Sequence, residues 1–257
     1  MNKDIDFLYR FRHLRGEHRE WTQQILEESI LYFADPPSFN DPFDCKVHYS
    51  NTLSLDNLRQ YYTSILKEKL PHLNRQQQRE KVVSDIRNII PSQFISQMAA
   101  GLQDSANRIG ILSLAATCEN ILLWSHYAAS HTGICLKFDA RSTTPFFGAA
   151  QKVSYKEKYP EIDVLADPYD QVEAFILTKA KDWEYEEEWR IVEPETGPGK
   201  KYFPDNLLSE VIFGAKINAK DREDVLRWLS SRKYSVQVSQ AVLSSGTFSL
   251  KIIPYEP

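Results

Sequence analysis

Glycine is scarce in this chain, with 9 among 257 residues, and methionine scarcer, with 2. So little glycine argues against an architecture of glycine-rich loops. The strings that mark common nucleotide folds, G-x-x-x-x-G-K-[ST] and G-x-G-x-x-G, are missing. So are H-E-x-x-H, G-x-S-x-G and the kinase signatures. The three cysteines, Cys45, Cys118 and Cys135, form no C-x-x-C pair. That count and spacing exclude a disulfide framework or zinc site as the leading reading and fit a reducing compartment. Positive charge is not in excess, with 31 Lys and Arg against 35 Asp and Glu and a formal net charge of -4. A general nucleic-acid coat or anionic-membrane binder would be basic, so only a local basic patch stays open. Long apolar runs are absent too. Ile109–Ala116 falls far short of the ~20 residues that span a bilayer. The opening Met1-Asn2-Lys3-Asp4-Ile5-Asp6 carries no apolar signal core, so a cytoplasmic protein without membrane association is expected.

What is present is an ordinary globular composition, 42% hydrophobic and 26% charged, with aromatics at 12%. The length fits one domain over residues 1–257. Alternation and aromatic content predict a strand at Asp6–Arg12, and helical spacing of Trp21, Ile25 and Leu26 predicts a helix over Glu17–Glu28. Ile30–Phe33 reads as a strand stopped by Asp35-Pro36-Pro37. Residues 54–107 differ in character, rich in Gln, Lys, Arg and Leu. They read as two or three helices inserted into a β-rich core, and as a surface a partner could use. Ile109–Ala116 reads as a doubly buried strand, Glu119–Ser130 as a helix ended by Gly133, and Lys152–Tyr155 as a single strand. Tyr169–Lys181 reads as a helix and Glu184–Val192 as a strand. Asn218 is an N-cap for a helix through Arg232. The expected class is α+β, with a twisted, mixed or antiparallel β core and no regular βαβ alternation.

Four stretches could carry chemistry. In Trp183-Glu184-Tyr185-Glu186-Glu187-Glu188-Trp189-Arg190, strand alternation places Glu184, Glu186, Glu188 and Arg190 on one face. Carboxylates at i and i+2 repel, so one needs a raised pKa or a cationic partner, for which Arg190 is the local candidate. A solvated face balanced by lysines is the plainer alternative. Asn120-Ile121-Leu122-Leu123-Trp124-Ser125-His126-Tyr127 lies past a buried strand at a helix start, where substrates are commonly held. There Trp124 and Tyr127 can stack on a ring and His126 can donate, or all three simply fill a core. Phe39-Asn40-Asp41-Pro42-Phe43-Asp44 makes a rigid turn, and Asp41 and Asp44 could join a metal site if other oxygens converge. In Tyr9-Arg10-Phe11-Arg12-His13, Arg10 or Arg12 can hold a phosphate, or form an exposed basic edge.

Taken in order, Leu8-Tyr9-Arg10-Phe11-Arg12, Asn40–Asp44, Leu123–Tyr127 with Gly133, and Trp183–Arg190 resemble a bacterial family catalogued as a domain of unknown function, number twenty-nine seventy-one. Asp44 stands where that pattern commonly has Glu, and Trp189 where it has Tyr. More distantly, the order resembles mono-ADP-ribosyltransferase-like folds, including toxins that modify nucleic acid. That resemblance implies an NAD-cleaving transferase or NAD glycohydrolase, a toxin or phage-defence effector, with NAD as substrate and a protein or nucleic-acid acceptor. It implies Arg12 or Arg10 on the pyrophosphate or ribose, and Trp124, His126 or Tyr127 at the nicotinamide. Glu188 would then stabilise the oxocarbenium-like transition state and Glu186 orient the acceptor, with Asn40 and Arg190 also in the binding set. The warrant is fold-level analogy. Two other readings stand beside it. One is a metal-dependent nuclease or phosphoesterase using Asp41, Asp44, Glu186 and Glu188. The other is a non-enzymatic protein-binding module.

Overall fold

The structure is a computed structural model and describes residues 5–256. In chain order the elements are β1 (Phe7–Arg12), α1 (Glu17–Glu28), β2 (Ile30–Phe33), β3 (His48–Tyr49), α2 (Leu55–Lys69), α3 (Arg75–Ile86), α4 (Pro91–Ala106), β4 (Gly110–Ala115), α5 (Ile121–Tyr127), β5 (Ile134–Asp139), β6 (Gln151–Lys152), β7 (Ser154–Lys156), β8 (Glu161–Ile162), α6 (Pro168–Ile176), β9 (Thr178–Ala180), β10 (Glu188–Glu193), β11 (Gly199–Tyr202), β12 (Leu208–Phe213), α7 (Ala219–Ser230), β13 (Gln237–Leu243) and β14 (Leu250–Pro254). Eight strands make one sheet in the order β14-β13-β12-β5-β1-β4-β10-β6, and three two-stranded pairs flank it. Within that sheet β12 and β13 run parallel while the other pairings are antiparallel. The class is thus α+β with a mixed sheet.

The first strand made is the middle of the sheet. β1 pairs along its whole length with β5, from Phe7↔Asp139 to Arg12↔Ile134. Against β4 it makes one pairing only, Tyr9↔Ala115. Beyond Tyr9 the two strands part, and Ile111 of β4 instead bridges Ala34, just past β2. The sheet is therefore split between β1 and β4. A split exposes ladder groups that need other partners, and the Arg10 Nη1 donates to the Ser113 carbonyl at 2.7 Å across the gap.

One face of the sheet is sealed by α1 and α7, which bring Ile25, Leu26, Val225 and Trp228 against Leu8, Leu112, Leu136, Phe138 and Val211; the other carries α5, with Trp124 packed on Phe11, Cys135 and Ile212. Helices α2, α3 and α4 occupy residues 55–106 and bury little of themselves, only Leu58 and Leu66, Val82, and Ile95 respectively. Among the described residues, no helix is long and apolar enough to cross a membrane.

Several local expectations are corrected. The helix expected through Lys181 stops at Ile176, and Lys179 lies on β9, paired with Tyr155 of β7. Lys152–Tyr155 is two strands, because the chain changes partner at Val153, from β10 to β9. The strand expected from Glu184 starts only at Glu188. Lys181–Glu186 is a 3₁₀ turn closed by Glu187 in the left-handed region at φ 45°. The helix expected over Glu119–Ser130 spans Ile121–Tyr127, and Gly133 does not end it. Ala129, Ser130 and His131 turn the chain with φ of 48°, 57° and 69°. Gly133 is required by close approach, since a Cβ there would lie 2.1 Å from the Arg12 carbonyl oxygen.

Candidate active site

A cavity of about 510 Å³ opens in the split of the sheet, within the usual range for small-molecule sites. Its walls bring together Arg10 and Arg12 of β1, Asn40 of the turn after β2, His126 and Tyr127 of α5, and Glu186 and Glu188. Four segments far apart in sequence thus meet because β1, β4 and β10 are sheet neighbours and α5 follows β4. Arg190 and Trp124 are also neighbours, but neither lines the cavity; both have no exposed surface. Trp124 donates its indole N–H to the Cys118 carbonyl at 2.7 Å and meets Phe11 edge-on at 5.1 Å. Its place is in the core, fixing α5, rather than against a ligand.

The acidic row is resolved into two different carboxylates. Glu188 is buried, and its carboxylate accepts from two cations: Arg190 Nε at 2.7 Å, Arg190 Nη2 at 3.1 Å and Lys179 Nζ at 2.9 Å. Burial alone would raise its pKa, but the Arg190 and Lys179 charges outweigh it and hold the carboxyl at about 2. Glu186 accepts from Lys179 Nζ at 2.5 Å and, on its other oxygen, from the Tyr127 hydroxyl at 2.6 Å. Burial and the Glu186 charge together push the Tyr127 phenol above its ordinary range, so it stays a proton donor. Glu184, expected in the same row, is exposed because the 3₁₀ turn rotates it away.

Two cations centre this network. Lys179 contacts Glu186, Glu188 and, at 3.8 Å, Asp44. Burial opposes its charge, but Glu188 and Glu186 more than compensate and raise its pKa. Arg190 grips Asp44 through Nη1 at 3.0 Å and Nη2 at 2.6 Å, and donates to the Ile176 carbonyl at 2.6 Å. Asp44 thereby anchors the turn that carries Phe39 and Asn40 into the cavity wall. Lys179 escaped the sequence reading because the helical spacing Val172, Phe175, Ile176, Lys179 suited an extended helix. The usable signal was the surplus of three carboxylates over one local arginine, which required another buried cation.

Of the four carboxylates that the alternative metal-dependent reading would use, Asp44, Glu186 and Glu188 surround the Lys179 ammonium. Among the described residues, no group of three or more His, Cys, Asp or Glu side chains is placed to hold a metal ion. Asp41 instead accepts from the Phe43 backbone N–H at 2.9 Å, as an Asx turn.

The same cavity is lined by Arg10 and Arg12. Besides the Ser113 carbonyl, the only side-chain hydrogen bond of this pair is from Arg12 Nε to the Thr22 hydroxyl at 3.3 Å, among the described residues. Burial lowers the Arg10 pKa to about 9, with Arg12 adding to the effect, and burial lowers that of Arg12 to about 10. Two guanidiniums facing a cavity without a carboxylate partner favour an anionic guest.

The α5 end of the site is set by its N-cap. The Asn120 side-chain oxygen accepts from the Leu122 and Leu123 N–H groups at 2.8 and 3.4 Å, and its amide donates to the Tyr185 carbonyl at 2.7 Å. One residue therefore starts the helix bearing Tyr127 and ties it to the turn bearing Glu186.

Residues 123–191, from α5 to β10, match a family model described as Protein of unknown function (DUF2971). The matched stretch contains the Leu123–Tyr127 and Trp183–Arg190 boxes and supports the resemblance to that family. No curated protein and no solved structure matches the chain.

Proposed function

We propose that this cavity is an NAD-cleaving active site of the ADP-ribosyltransferase-like kind. The observation that carries the reading is the pairing, in one cavity, of two arginines lacking carboxylate partners with a carboxylate held by a phenol. The arginines suit a pyrophosphate. In the same cavity, His126 and Tyr127 offer an aromatic border for the nicotinamide ring.

In the reaction the bond between ribose C1′ and the nicotinamide nitrogen breaks, and its electron pair leaves with the ring as neutral nicotinamide. Positive charge develops on the ribose, and a fixed carboxylate nearby favours it. An acceptor or water then adds to C1′ and gives up its proton. We assign the stabilising role to Glu186 rather than Glu188. Glu188 is fully committed to Arg190 and Lys179, whereas Glu186 meets the cavity through one exchangeable bond from Tyr127, which a ribose hydroxyl can replace. Lys179, Arg190 and Asp44 are positioning residues, and the acceptor is water, protein or nucleic acid.

The test is release of nicotinamide from NAD by the purified protein. Release is expected from the wild type and reduced at least ~100-fold in Glu186→Gln, with NAD binding kept and the variant shown to be folded. Undiminished release by a folded Glu186→Gln protein, or no NAD binding by the wild type, would overturn the reading.

A further inference from the structure

The segment after β1 supplies part of the cavity wall that the reading above leaves idle. His13 and His18 both line the cavity. Their rings lie 3.9 Å apart, and His18 meets Trp21 edge-on at 4.6 Å. The Nδ1 atoms of both histidines and the Nε of Arg10 are buried and have no hydrogen-bond partner among the described residues. Buried polar nitrogens are normally satisfied, so three orphans on one wall point to acceptors that a guest brings. After burial, the charges acting on His13 are those of His18, Arg12 and Arg15, and on His18 those of Arg12 and Arg10. Each opposes a proton on the imidazoles, whose pKa values lie below the ordinary 6.5. A neutral imidazole has only one N–H, whereas its protonated form donates from both nitrogens. An oxyanion seated here would supply the acceptors and cancel the repulsion that keeps the proton off.

We propose that His13 and His18 complete, with Arg10 and Arg12, a seat for the phosphoryl oxygens of a nucleoside diphosphate derivative, and that filling it draws one proton onto the imidazole pair. With rings this close, a second proton is disfavoured by the first. The inference rests on the NAD reading only in placing the ligand's phosphates on the β1 wall.

ADP-ribose is the probe, because its diphosphate keeps a constant charge over roughly pH 6 to 8, the range in which imidazoles titrate. Titration calorimetry in two non-phosphate buffers of different ionisation enthalpy reads proton uptake directly. About one proton per ligand is expected near pH 7, with affinity about 30- to 100-fold tighter at pH 6 than at pH 8. The double variant His13→Gln/His18→Gln, checked for its melting temperature, should bind with the pH slope removed. Equal wild-type affinity at both pH values, an unchanged slope in the folded double variant, or no binding of ADP-ribose would overturn the proposal. Nicotinamide release with pH-independent ADP-ribose binding would sink this inference alone. Proton-coupled ADP-ribose binding without nicotinamide release would sink the NAD-cleaving reading alone.

Discussion

Arg190 carries its charge with no exposed surface and holds Glu188 and Asp44 together. Removing one member of a buried ion network leaves its partners charged and desolvated, at about 3–5 kcal/mol. Arg190→Met should therefore lower unfolding stability in urea by that order, and adding Glu188→Gln should recover part of it. The network also sets an acid limit. The Glu188 carboxyl titrates at about 2 when folded, against an ordinary value of 4.5. A depressed carboxylate contributes stability that is present above its unfolded pKa and lost as pH falls through its folded pKa. Melting temperatures measured from pH 5 to 2 should fall through this window, and less so in Glu188→Gln.

Asn120 sits where a helix, a turn and the cavity meet. Asn120→Ala removes an N-cap and frees the Tyr185 carbonyl, so a loss of about 1–2 kcal/mol is expected in thermal unfolding. On the proposed NAD reading, its larger effect should be on NAD affinity, because Tyr127 and Glu186 lose their common anchor. β1, β4 and the Asn218 cap were legible in the sequence, since each has an alternation, an apolar run or an Asn in front of a periodic stretch, whereas Asn120 fell inside the helix expected over Glu119–Ser130. Arg10, Arg12, Tyr127, Glu186 and Glu188 were readable as candidates for the same reason. What periodicity missed were pieces too short to have a period. β9 is three residues long, and the Lys181–Glu186 turn is a 3₁₀ segment whose exit depends on a left-handed Glu187. Full burial of Arg190 also escaped, because it depends on which strands become neighbours, while for Trp124 the core-filling alternative is the one that holds.

The molecule divides unevenly in packing. α3 buries only Val82 and α4 only Ile95, while in β4 five of the six residues are buried. Local opening follows such differences. Amides of α3 should exchange with deuterium at least ~100-fold faster than those of β4 and β5, measured by mass spectrometry on the native protein. A uniform exchange profile would contradict this division.

The central position of β1 also has a consequence in time. It leaves the ribosome well before its neighbours β5 and β4, which begin at Ile134 and Gly110. Until both have emerged, its arginines have no sheet to lie in, and the carboxylates that complete the cavity arrive later still, at Glu186 and Glu188. Loop closure over such separations is slow. The nascent chain is therefore inert toward any ligand of this cavity for most of its synthesis, and it acquires a binding site late and all at once.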